Sequence, residues 1–142
     1  MRICTFRLGP RLLGIDAAQV REIVLLKELT RVAGAPPSVR GLLNLRGAIV
    51  TCLELGAILG LPPASAAVPR ALVLEGGDEA VSLAVDRVAD VLEVEPADVE
   101  PVPPTVPRAV APYLAGTCHR AGQLLLLLDV ARVIAAGDPG PP

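Results

Sequence analysis

The chain has 142 residues, of which 52% are apolar, yet it holds one Phe, one Tyr and no Trp. Thirteen basic residues face fifteen acidic ones, for a formal charge of −2. That length sets one domain as the starting expectation, with enough apolar mass to build a core without disulfides or metal. With no basic excess to hold a phosphate backbone and no aromatic platform for bases, the composition argues against general nucleic-acid binding.

Residues 2–15 read as a β-hairpin: an alternating strand over 2–8, turn chemistry at Gly9-Pro10-Arg11, and a second apolar strand over 12–15. Asp16 is placed to cap a short helical turn over 17–20. Residues 21–33 carry mixed signals. Ile23, Leu26 and Leu29 have helical spacing, whereas Val24, Thr30 and Val32 favour strand, and we read the stretch mostly as strand. Ala35-Pro36-Pro37 breaks the chain, leaving at most one helical turn over 37–40. Two apolar runs then flank Asn44–Gly47, which predicts two β segments joined at a tight bend with Gly47 free to take positive φ. A helical turn over 55–59 ends before Gly60.

The Pro/Ala-rich connector 60–69 is the expected internal boundary between two strand-rich halves. After it, strands are expected at 71–75, 80–85 and 87–94, with a turn at Gly76-Gly77-Asp78. An irregular connection with six prolines occupies 96–112. A last hairpin runs over 113–119 and 123–128, and Asp129 caps a C-terminal helix over 130–136 whose apolar face is Val130, Val133 and Ile134. The expected organisation is one domain over 1–136 and a disordered tail over 137–142. Many short strands suggest small barrels or a sandwich.

Catalytic signals are absent. His119 follows Cys118 directly, so in a strand the two point to opposite faces, which favours a plain hairpin-end histidine over a dyad. Gly41 and Gly47 are not followed by Lys-Ser/Thr, so no phosphate loop is indicated. No metal-ligand spacing occurs, and no metal or cofactor is expected. The acids Asp86, Asp90, Glu93 and Glu95 read as solvation and edge protection on an exposed strand. Three cysteines without a C-x-x-C pair are no disulfide framework. Arg7 interrupts the N-terminus before any signal-peptide core forms, and 55–69, the longest uncharged stretch, is too short and proline-broken to span a bilayer. A reducing cytoplasm is the expected setting. A thin polar inventory beside a large apolar one fits docking better than chemistry.

One block is specific. The segments Val20-Arg21-Glu22-Ile23, Leu29-Thr30-Arg31-Val32 and Ala35-Pro36-Pro37-Ser38-Val39-Arg40-Gly41-Leu42-Leu43-Asn44-Leu45-Arg46-Gly47-Ala48-Ile49-Val50, followed by Glu54-Leu55, resemble the CheW family of chemotaxis coupling proteins. The segment from Ala84 to Leu92, and Tyr113-Leu114-Ala115-Gly116 with its Leu-rich strand and Asp129, agree. The resemblance covers about residues 3–136; Thr51, Cys52 and Ala33 depart from the residues common in the family.

The resemblance implies a mainly β fold of two five-stranded β-barrels on a shared core, with short helical turns and a C-terminal helix. It implies no enzymatic activity. The implied partners are the chemoreceptor cytoplasmic tip and the regulatory domain of the CheA histidine kinase, in cytoplasmic arrays at the membrane. The protein would be a monomer alone and join rings with the kinase. It maps receptor binding onto Arg46, Glu22, Val20, Gly41 and Val91. An adaptor of a non-motility chemosensory pathway and a small ligand-binding barrel are the alternatives.

Overall fold

The computed structural model describes residues 1–75 and 80–137. Ten strands form two five-stranded sheets. The strands are β1 (Arg2–Leu8), β2 (Arg11–Asp16), β3 (Val20–Leu25), β4 (Val39–Leu45), β5 (Ala48–Glu54), β6 (Arg70–Leu74), β7 (Val81–Val85), β8 (Arg87–Glu93), β9 (Leu114–Arg120) and β10 (Gln123–Leu128). Two helices follow β5 and β10: α1 (Leu55–Leu59) and α2 (Val130–Gly137). One sheet has the order β3-β6-β7-β5-β4, the other β8-β1-β2-β10-β9.

The two orders are the same order. Reading β8, β9, β10, β1 and β2 in place of β3, β4, β5, β6 and β7 converts one into the other. The parallel pairs correspond, β5 with β7 and β10 with β2. Each sheet is drawn into a barrel by one backbone bridge between the segment after its first strand and the next strand, Thr30–Leu42 in one and Glu100–Thr117 in the other. The molecule is therefore a duplicated barrel whose second copy borrows its last two strands from the N-terminus.

This topology corrects the expected boundary. The connector 60–69 joins α1 to β6 within one sheet; the chain changes sheets near residues 16–20 and again near 85–87. The mixed stretch 21–33 is strand only to Leu25, because Leu26 turns inward to the barrel and the chain then crosses to β4 at Thr30. The expected turn at Gly76-Gly77-Asp78 and the tail beyond Gly137 lie outside the described residues.

Strand alternation sorts the apolar residues into three layers. Val50, Cys52, Ala71 and Ala84 fill one barrel with Leu26 and Leu43. Ile3, Cys118, Leu125 and Leu127 fill the other with Val94. The opposite faces of both sheets, through Phe6, Leu13, Ile15, Leu53, Leu72 and Leu83, meet in a larger shared core closed by Leu55 and Leu59 of α1 and Val130 and Val133 of α2. Local signals act as read. Asp16 Oδ1 accepts from the Ala18 N–H (3.0 Å), and Gly60 ends α1 in the left-handed conformation (φ 68°). Asp129 Oδ1 accepts from the Arg132 N–H (3.2 Å) at the start of α2.

Asp86 is the exception to its reading. It sits between β7 and β8, and its carboxylate accepts from the N–H groups of Gly9 (2.6 Å), Ser65 (2.7 Å) and Ala66 (2.8 Å). It thereby ties the β1–β2 turn of one barrel to the connector of the other. The other acids behave differently. Glu93 is exposed and lies near the N-terminal ammonium and Arg2, while Asp90 uses its backbone to exchange hydrogen bonds with the Thr5 hydroxyl at a bulge.

Candidate functional site

The bend between β4 and β5 is a two-residue turn, Arg46-Gly47, with φ of 50° and 86°. Two positive φ values in a row are the hairpin turn whose twist matches the flanking strands. Asn44 Oδ1 accepts from the Gly47 N–H at 3.0 Å and fixes the turn. Glycine takes such a φ freely; arginine does so at a cost of roughly 1–2 kcal/mol, which the paired strands hold in place.

From this tip the Arg46 guanidinium donates to Glu22 Oε2 on β3 at 2.5 Å. β3 and β4 are the two ends of their sheet, so the ion pair spans the barrel's seam. A second tie crosses the same seam. Thr30 and Leu42 exchange both backbone hydrogen bonds, at 2.9 and 2.7 Å. Gly41, next to Leu42, makes room for it: a Cβ there would lie 2.6 Å from the Thr30 carbonyl oxygen and 2.5 Å from Leu29 Cδ2. Three of the expected site residues, Glu22, Gly41 and Arg46, are thus brought to one seam.

The Arg46 hydrogen bond draws the Glu22 carboxyl below its ordinary range; partial burial opposes this, and the charges of Arg46 and Arg21 add to it. The same bond and charge push Arg46 further up. Both groups are charged at neutral pH. The arginine side chain is 67% exposed, so its remaining donors face solvent.

Val20 and Val91 sit elsewhere. Val20 begins β3 opposite Leu74 and packs, partly buried, on the shared core. Val88 occupies the matching place on β8, opposite Phe6, and a bulge follows each of them. Three residues on, Val91 stands opposite Cys4 and Ile23 opposite Leu72. Both are left open, 53% and 42% exposed. Ile23 is therefore the counterpart of Val91. Sequence reading named Val91 and missed Ile23, together with Ile49, which is 59% exposed beside the hairpin tip. An apolar residue on a half-covered strand carries no mark of which side is covered.

The duplication supplies an internal control. The β9–β10 turn, Ala121-Gly122, has the same two positive φ values (49° and 77°). Neither turn residue carries a guanidinium; Arg120, just before the turn, donates across that seam to the uncharged Glu93 carbonyl, and Asp90 stands where Glu22 does, making its hydrogen bonds through the backbone. The turn geometry is thus common to both barrels, and the ion pair belongs to one.

All three cysteines are free and buried, and burial pushes the Cys4 and Cys52 thiols up. Cys118 faces inward while His119 is exposed. Among the described residues no cluster of His, Cys, Asp or Glu is placed to hold a metal ion, and no helix is long and apolar enough to cross a membrane.

A family model described as a CheW-like domain matches residues 2–138. The chain is similar to the chemotaxis protein CheW of Klebsiella aerogenes, at 30% identity over 134 residues, 94% of this chain and 81% of that protein. It is also similar to that of Treponema pallidum, at 28% identity over 96% of this chain and 84% of that protein. The crystal structure of the scaffolding protein TtCheW from Thermoanaerobacter tengcongensis shares the fold, with a TM-score of 0.83 at 23% identity over 94% of this chain and 86% of that one. A family match over nearly the whole length and a relative at 30% identity show that the chain belongs to the CheW-like family of chemotaxis adaptors, which are non-catalytic scaffold proteins.

Proposed function

We propose that this protein couples the cytoplasmic tip of a chemoreceptor to the regulatory domain of a CheA histidine kinase, in cytoplasmic arrays at the membrane. The receptor-facing surface contains Arg46 and Glu22, with Val20, Gly41 and Val91 and the newly found Ile23. One observation carries the reading. An exposed guanidinium is held on a conformationally costly turn, pre-aimed by Glu22, in the one barrel of two that has it. The positive φ is shared by Ala121 in the other barrel; what sets this tip apart is a charged side chain, 67% exposed, held by an acid on the facing strand.

Gly41 supports the site by letting the chain cross the seam, and Val20 by anchoring β3 on the shared core. Val91 and Ile23 add apolar contact at the rim, the usual division of labour between directed charge and apolar area in an interface.

The test is capture of the organism's own receptors and kinase by purified protein. Wild type is expected to retain both, and Arg46→Glu to lose the receptor while keeping the kinase and its melting curve. The double variant Glu22→Arg/Arg46→Glu restores the internal pair with reversed polarity. Recovery of capture by it would show that the pair, rather than the outward arginine, is what matters. Capture of neither partner by wild type would refute the coupling role.

A further inference from the structure

Outside the seam, one cavity has the chemistry of a binding site. It measures about 400 Å³ and opens where β1 ends and β2 and β10 begin, beneath residues 105–106. That volume is in the range of pockets that hold small molecules, roughly 300–1,000 Å³.

Its floor belongs to the shared core. Leu126 and Val106 are 3% and 8% exposed, and Leu124 packs against them. Over this floor stands Arg11. Alternation along β2 puts Arg11 on the same face as Leu13 and Ile15, both fully buried in the shared core, and it lies opposite buried Leu8. A half-covered guanidinium at the edge of an apolar layer loses hydration and needs an anion to replace it. Among the described residues Arg11 has no ion pair and no side-chain hydrogen bond, and no acidic side chain lines the cavity.

A second guanidinium, Arg7 from the other face of the hairpin, lines the opposite rim. Arg7 donates to Gln123 Oε1 at 2.7 Å and more weakly to the Pro10 carbonyl at 3.4 Å. These contacts orient Arg7 without neutralising it, since both acceptors are uncharged. Two cations beside an aliphatic floor, with no internal acid, call for a ligand that is anionic at one end and apolar at the other.

We infer that this cavity binds a small amphiphilic organic anion, a phosphate or carboxylate on a short aliphatic body. The head group pairs with Arg11, with Arg7 at the opposite rim, and the body lies on Leu124, Leu126 and Val106.

Methyl NMR titration of the full chain tests it with four probes: hexyl phosphate, hexanoate, inorganic phosphate and hexanol. Hexyl phosphate or hexanoate should shift the Leu124, Leu126 and Val106 methyls saturably, and whichever binds more tightly identifies the head group. Inorganic phosphate and hexanol, each lacking one half, should bind at least about tenfold more weakly. Arg11→Gln should weaken the better probe at least about tenfold, while Lys27→Gln, in the other barrel, should leave it within about twofold. Unchanged methyl spectra elsewhere in each variant show that it folds. The inference fails if neither amphiphile saturates by about 10 mM. It also fails if hexanol matches both amphiphiles, or if the two variants weaken binding equally.

Discussion

Replacing Asp86 should loosen the whole molecule, because this carboxylate holds three backbone N–H groups from both barrels. Hydrogen bonds to a charged acceptor contribute about 1.5–3 kcal/mol when buried. Two of the three, to Gly9 and Ser65, are exposed, and water partly replaces them once the carboxylate is gone. Counting those at about 0.7 kcal/mol each and the part-buried Ala66 bond at about 1.5 gives about 3 kcal/mol for Asp86→Ala, or a fall in Tm of about 9 °C in a chain of this size. Asp86→Asn keeps a carbonyl oxygen for Ser65 and Ala66 and loses Gly9, so it should cost about half as much.

The pH dependence has a definite sign. Burial raises the Asp86 carboxyl, but the N–H groups of Gly9, Ala66 and Ser65, with the charge of Arg40, outweigh it, so its folded value lies below its ordinary one. The stabilisation is therefore complete above the ordinary aspartate range, near pH 4, and fades as pH falls through the folded value. Urea unfolding of wild type and both variants, from pH 7 down to pH 2.5, measures the gap. A cost below about 1 kcal/mol for Asp86→Ala at pH 7 would refute the reasoning, as would a gap that does not shrink in acid.

Arg46→Gly should leave the urea midpoint unchanged or raised, since glycine relieves the positive φ, while receptor capture is lost; a clear destabilisation would make Arg46 a structural residue. Gly41→Ala should cost about 1–3 kcal/mol in urea unfolding, because the new Cβ meets a backbone carbonyl that cannot move without breaking the Thr30–Leu42 bridge. Arg40→Ala should cost about 3 kcal/mol, because Glu54, only 7% exposed, would keep just the Ala64 N–H as partner; thermal unfolding reads it directly.

What could be read in advance was local. The turn at Arg46-Gly47, the cap at Asp16 and the stop at Gly60 follow from backbone chemistry within four residues, and the structure has them as read. The family signature around Asn44–Gly47 pointed to the seam for the same reason, as its residues are neighbours in sequence. What could not be read was pairing at a distance. Nothing in residues 2–16 says that they close a sheet with 114–128, because an apolar alternating strand fits any open edge. Asp86 looked like one more surface acid, since its three partners lie 20, 21 and 77 residues away in the chain. Ile23 carried no mark of its exposure, because burial depends on which barrel face the neighbouring sheet covers.

The borrowed N-terminal strands set an order on synthesis. Once residue 85 has left the ribosome, every strand of the first barrel is present, and it can close on contacts of moderate span. The first hairpin, made earlier, must wait. Leu12 and Leu13 pair with Leu125 and Leu126, so more than a hundred residues must follow before their sheet exists. At about 5–20 residues per second that is a wait of seconds with an apolar edge unpaired. Its shared-core face, through Phe6, Leu13 and Ile15, has somewhere to rest meanwhile: the outer face of the finished barrel, which needs the same cover. The middle of the chain thus serves as a template for its own beginning, and the last strands arrive to find their partners already in place.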